Sequence, residues 1–172
     1  ALKDRVKHYM VQRFSSMPSR AVDFWFWSDY ADGQTQASVY VGSEAYGDGR
    51  CLFDPVAENP EQPPFLSWTA PAPDGKTIAI GVCADGSEAN TIRLIDVASG
   101  ETLPGPDQVL PDAWMGGVTW LPDTSGFFFQ AFTKDVEANE RALYFHDMAT
   151  GEQTVQDIGD IVPYEWVHVG LS

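Results

Sequence analysis

The chain is poor in basic residues, in cysteine and in long apolar runs. Ten Lys and Arg stand against 25 Asp and Glu in 172 residues, a formal net charge of -15. Nucleic acid is thereby disfavoured as a partner, because phosphate binding draws on clustered cations. No apolar run approaches the roughly 20 residues of a spanning helix, and the first residues lack the layout of a secretory signal. A membrane partner is therefore not expected; a cytoplasmic location is favoured, with a periplasmic one left open. Only two cysteines occur, Cys51 and Cys83, each within an apolar stretch and neither at metal-ligand spacing. Buried free thiols are expected ahead of a mutual disulfide. The three histidines, His8, His146 and His168, are far apart in the chain, so no metal site and no cofactor is predicted.

What is present points to a folded domain. Hydrophobic residues make up 44% and aromatics 13% of the chain, enough apolar surface to offset the entropy of ordering. The charge is unevenly placed: residues 1–20 carry a net +4 and the remainder -19. Within that basic leader, Leu2, Val6, Tyr9, Met10 and Phe14 mark one face of a helix, which is expected to pack on the body; Met17 and Pro18 end it.

From residue 22 the helical period disappears. Short β-rich stretches fall at 23–27, 38–41, 50–53, 66–70, 77–82, 91–96, 117–121, 126–131, 142–147 and 165–170. Between them stand Asp-Gly, Ser-Gly and Thr-Gly pairs, where glycine supplies positive φ and the neighbouring side chain ties the backbone down. The reading is all-β, a series of antiparallel hairpins.

Internal repetition is more informative than any single motif. Residues 92–103 align without a gap to 143–154, so that Asp96, Gly100 and Glu101 match Asp147, Gly151 and Glu152. Pro73-Asp74 before an apolar strand matches Pro122-Asp123 before another. Each unit reads as strand, Pro-Asp turn, strand, longer loop, strand, Ser/Thr-Gly turn, strand. A period near 50 with four strands is the signature of a β-propeller blade. The expected fold is a partial β-propeller of about three four-stranded blades with a short N-terminal helix. Its divisions are a leader at 1–20, blades at 21–65, 66–115 and 116–165, and at 166–172 the first strand of an incomplete fourth. Three blades cannot close a ring, so self-association through open blade edges is expected.

The ordered series of motifs resembles a known family. A Leu2-Lys-Asp-Arg-Val6 helix, an aromatic strand from Phe24 to Trp27, and Cys51-Leu-Phe-Asp-Pro55 are followed by Ala72-Pro-Asp-Gly-Lys-Thr-Ile-Ala-Ile-Gly81, Gly86-Ser-Glu88 and Thr91-Ile-Arg-Leu-Ile-Asp-Val97. Together they resemble the N-terminal propeller of prolyl oligopeptidase family serine peptidases, and the Gly-Ser-Glu loop leans to the prolyl endopeptidase type over oligopeptidase B. The resemblance implies a propeller that covers an α/β-hydrolase domain and admits short peptides to it. It also implies a nucleophile in a Gly-x-Ser-x-Gly elbow. No such elbow is complete in this sequence; Gly170-Leu-Ser172 supplies only its first three positions. No catalytic residue is therefore assigned, and the chain alone is expected to be inactive.

The resemblance also implies that the first strand of each blade lines a central channel, which makes Trp68, Trp120 and His168 the candidates for contact with a passing peptide. The remaining candidates have plainer readings. Asp96 and Asp147 recur with the repeat and are expected to be turn partners rather than acid/base groups. The six tryptophans are expected to pack between blades rather than form a ligand platform. Two rival readings stand beside the peptidase fragment: a stand-alone propeller-type binding or scaffold module, and a blade-repeat protein of the bacterial envelope.

Overall fold

A computed structural model of the chain describes residues 2–3, 5–6, 15–30, 33–87, 89–111, 116–133 and 140–159. The remaining stretch of the leader, with His8, Tyr9, Met10 and Phe14, lies outside the described residues, as do Trp114 and the strand expected at 165–170 with Trp166 and His168.

Three antiparallel sheets follow one another along the chain, each with its four principal strands in sequence order. The first holds β1 (Ser19–Ala21), β2 (Phe24–Asp29), β3 (Ser38–Gly42) and β4 (Arg50–Phe53). The second holds β5 (Phe65–Pro71), β6 (Thr77–Cys83), β7 (Asn90–Asp96) and β8 (Thr102–Leu103), with β9 (Val109–Leu110) also pairing β7. The third holds β10 (Val118–Trp120), β11 (Gly126–Phe132), β12 (Arg141–Asp147) and β13 (Gln153–Val155). Up-and-down order within sheets and a single step from each sheet to the next is blade architecture.

Strand periodicity dictates how the sheets stack. Side chains alternate between the faces of a strand. On β6, Ile78, Ile80 and Val82 turn to the first sheet and pack on Phe26, Val39 and Val41. Ala79, one step out of phase, turns to the third sheet, where Trp120, Phe127 and Phe129 gather with Ile92 and Leu94. Branched side chains thus fill the first seam, while small residues on β6 leave room in the second for aromatic rings. With both faces covered, β6 reads as a nearly unbroken apolar run.

The turns repeat with the strands. Gly75 takes φ +70 and donates to the Ala72 carbonyl at 2.9 Å, and the Asp74 carboxylate accepts from the Lys76 amide at 3.0 Å. The equivalent turn in the next sheet puts Thr124 at the same place, with φ 62 and its backbone N–H donating to the Leu121 carbonyl at 3.0 Å. A β-branched residue there carries a conformational strain that glycine avoids. Asp96 and Asp147 close the other turns as expected. Asp96 accepts from the amide and hydroxyl of Ser99 at 2.7 and 2.8 Å, and Asp147 from the amide and hydroxyl of Thr150 at 2.8 and 3.0 Å. These donors, backbone first, hold both carboxyls below the usual carboxylate range.

Three expectations need correction. The first sheet begins at Ser19, inside the segment read as leader, because Ser19, Arg20 and Ala21 pair with Phe26, Trp25 and Phe24 across a two-residue turn that contains no glycine. Leu2 and Val6, on the expected packing face of the leader, are 76% and 47% exposed rather than buried. Cys51 is exposed while Cys83 is buried, both as free thiols. Cys51 lies opposite Tyr40 on the face of the first sheet that turns away from the seam, so its apolar neighbours in sequence do not bury it.

A short helix joins the first two sheets and was not legible as a motif. Asp54 caps α1 (Pro55–Glu58), its carboxylate accepting from the amides of Val56 at 2.9 Å and Ala57 at 3.2 Å, with Pro55 at the first helical position. Glu58 then meets Arg93 of β7 in a two-point ion pair, whose second contact is 2.9 Å, and the Arg93 guanidinium lies 5.6 Å from the Phe53 ring. The linker is thereby clamped to the second sheet.

Candidate functional site

The first strands β1, β5 and β10 occupy the same end of their respective sheets. Two of the candidate contact residues sit on them, and both indoles point into the seam between the second and third sheets. Trp68 lies across Gly81 on β6, where an added Cβ would come within 2.3 Å of the ring, and its Nε1 donates to Asn90 Oδ1 at 3.2 Å. Trp120 is 8% exposed, donates from Nε1 to the Ala70 carbonyl at 2.9 Å and meets Phe127 edge-on at 4.8 Å. The structure therefore brings Trp68 and Trp120 together as braces of one seam. His168 lies outside the described residues.

Beside β5 runs a cleft of about 460 Å³ between that strand and residues 15–17. Ser16, Ser28, Tyr30, Ser67 and Thr69 contribute hydroxyl-bearing side chains to its lining, and none of its lining side chains is charged. The strand itself is irregular here, with a register shift between Leu66 and Trp68 that sets Ser67 apart. A second cleft, about 630 Å³, opens between the first and second sheets over Phe24, Val41 and Val97. Arg50 at its rim is spent on the Val97 carbonyl.

The described titratable groups are bound into the turns and seams of the fold. Among the described residues no cluster of three or more His, Cys, Asp or Glu could hold a metal ion. His146 is 2% exposed, packs on Phe127 at 4.9 Å, and takes a bond at Nδ1 from Gln153 Nε2 at 3.2 Å. Burial lowers its pKa from the ordinary 6.5, with the neighbouring Asp147 pulling weakly the other way. The native state thus binds fewer protons than the unfolded chain below about pH 6.5, so stability present at neutral pH drains away as pH falls through that window. The thermal midpoint of the chain should drop between pH 7 and pH 5, and the H146Q chain should show a visibly shallower drop; equal slopes would remove His146 as the cause.

Aromatic contacts that span distant residues escaped the sequence. Trp27 stacks on Tyr40 at 5.9 Å, and a Cβ added at Gly49 would lie 2.4 Å from the Trp27 ring. The pairing of an indole with a glycine 22 residues away leaves no local signal.

Comparison with known proteins follows the same lines. The family described as prolyl oligopeptidase, N-terminal beta-propeller domain, matches residues 1–158. The chain belongs to the prolyl oligopeptidase family. It corresponds to that family's N-terminal propeller domain. Prolyl endopeptidase of Elizabethkingia meningoseptica is 26% identical over 145 residues, covering 79% of this chain and 20% of its own length. The same enzyme of Elizabethkingia miricola matches to the same extent. Among solved structures, one from an analysis of two prolyl endopeptidases superposes with a TM-score of 0.72 at 23% identity, covering 85% of this chain and 22% of that one. Prolyl oligopeptidase B from Galerina marginata, bound to a 35-residue hydrolysis and macrocyclization substrate, gives a TM-score of 0.64 at 20% identity, covering 90% and 25%. The propeller domain described here spans about a fifth of the length of the curated relatives it matches. Within the prolyl oligopeptidase propeller, the three sheets are successive blades.

Proposed function

We propose that this chain is the opening part of a propeller that gates short peptides into the hydrolase domain of a prolyl oligopeptidase-like serine peptidase, and that its own 172 residues supply no catalytic group. The observation that carries the reading is the family match over residues 1–158 joined to three stacked four-stranded sheets whose first strands share one end. In this reading β5 and β10 flank the peptide path, and Trp68 and Trp120 act from the seam behind it. Self-association through open blade edges is part of the same proposal for the chain produced alone, because three blades are fewer than a closed ring holds.

The test is enzymatic and genetic together. A polypeptide carrying this segment and a downstream Gly-x-Ser-x-Gly domain should cleave a short prolyl reporter peptide and spare a folded protein, while the 172-residue chain cleaves neither. Turnover by the 172-residue chain would refute inertness. A stop codon directly after Ser172 in the gene would instead favour the scaffold reading. Sedimentation of the chain as a stable monomer at micromolar concentration would remove the self-association.

A further inference from the structure

We propose that the outward edge of β5 is a strand-addition site for an extended, uncharged peptide. Hydrogen-bond alternation defines the edge. Ala72 donates to the Thr77 carbonyl at 2.8 Å, and the pairs Ala70 with Ala79, Thr69 with Ile80 and Trp68 with Gly81 follow in step. In an antiparallel ladder, bonded and non-bonded pairs alternate. Ala70 and Trp68 therefore direct their amides into the sheet, whereas the amide and carbonyl of Thr69 and the carbonyl of Pro71 face outward. Proline stands where no ladder bond is lost, as it does on free edges.

Among the described residues β5 pairs only with β6, and it runs for seven residues, about 23 Å, against three residues each for β1 and β10. Edges of that length are ordinarily guarded by charge. Here residues 65–71 contain no charged side chain, and the adjoining cleft of about 460 Å³ has none in its lining, although the whole chain carries -15. The devices present are Pro71 at the end of the strand and the bulge at Ser67, whose hydroxyl is buried without a hydrogen-bond partner; neither interrupts the outward groups of Thr69.

An extended backbone laid along this edge would exchange bonds with both outward groups of Thr69 and offer an amide or carbonyl to Ser67, the mode by which sheets capture peptides. The occupant is uncharged on electrostatic grounds: an acidic peptide is repelled by the chain, and a basic one would be desolvated in a cleft with no counter-charge. The site stands on the edge alone and needs no attached hydrolase, so its failure would leave the peptidase reading intact.

The probe is the capped peptide acetyl-Ser-Thr-Val-Thr-Val-Ser-amide, titrated into the isotope-labelled 172-residue chain and followed by amide shifts and hydrogen exchange. Saturable binding with slowed exchange at Thr69 is expected. T69P, which deletes the outward donor, should weaken it about tenfold or more, and T69S should not. An alternately N-methylated version of the peptide, which leaves the protein untouched, should fail to bind even if T69P misfolds. Equal binding of the methylated peptide, or none by the parent peptide, overturns the proposal. So does a dimer through β5 that T69P dissociates and the peptide cannot displace.

Discussion

Phe127→Ala should cost about 3–5 kcal/mol, lowering the unfolding midpoint by roughly 10 °C, because it opens a cavity at a point where nothing can collapse to fill it. The ring is wholly buried and touches Trp120 at 4.8 Å, Phe129 at 5.8 Å and His146 at 4.9 Å. The three strands that carry these neighbours are held by ladders, β10 to β11 over three register pairs and β11 to β12 over seven, so the backbone cannot close in. The loss should also be local. Each sheet shares apolar seams with its sequence neighbours, and stability in such stacks resembles a sum of units and interfaces. Hydrogen exchange in F127A should accelerate first in β11 and β12, with β2 and β3 keeping their protection against Ile78 and Ile80. Equal loss in β2 and β3 would show one cooperative block and contradict the seam-by-seam account.

That seam organisation explains how far residues alone lead. Blades emerge from the sequence because their turns are chemical: Pro73-Asp74-Gly75 and Pro122-Asp123 reverse the chain, and Asp96 and Asp147 bind the amides that follow them. Strand interiors emerge because a period of two is a local property. What escapes is whatever depends on the partner of a face. Cys51 is followed by apolar Leu52 and Phe53, yet its side of the first sheet turns away from the seam. Ser19 and Arg20 look like the end of a polar leader until they are seen paired to Phe26 and Trp25. The pairing of β9 with β7 follows the loop Pro104-Gly-Pro-Asp-Gln108, whose turn residues do not say which strand the chain returns to, and only the tertiary context brings Val109 opposite Thr91. Trp68 and Trp120 were legible as first-strand residues, but the direction of each indole depends on a glycine and a carbonyl supplied by another strand.

Trp68 and Gly81 provide the second large effect, and a cycle of substitutions separates packing from channel contact. Gly81→Ala places a methyl 2.3 Å from the indole and 2.8 Å from Asn90 Oδ1, deep in a strand buried on both faces. The ring cannot slide aside without leaving the seam and breaking its bond to Asn90, so about 1–3 kcal/mol of overpacking adds to about 1 kcal/mol of lost hydrogen bond. Trp68→Ala, which empties the same space, should cost about 3 kcal/mol, at the low end for a tryptophan because the residue is only half-buried. In the double variant the new methyl occupies volume the indole has vacated. Its destabilisation should therefore fall short of the sum of the single variants by at least about 1 kcal/mol, the coupling expected of residues in contact. Chemical denaturation of the four chains measures this directly. Additive losses would mean that the indole leaves the seam and turns towards the open end of the sheets, where a passing peptide could meet its face.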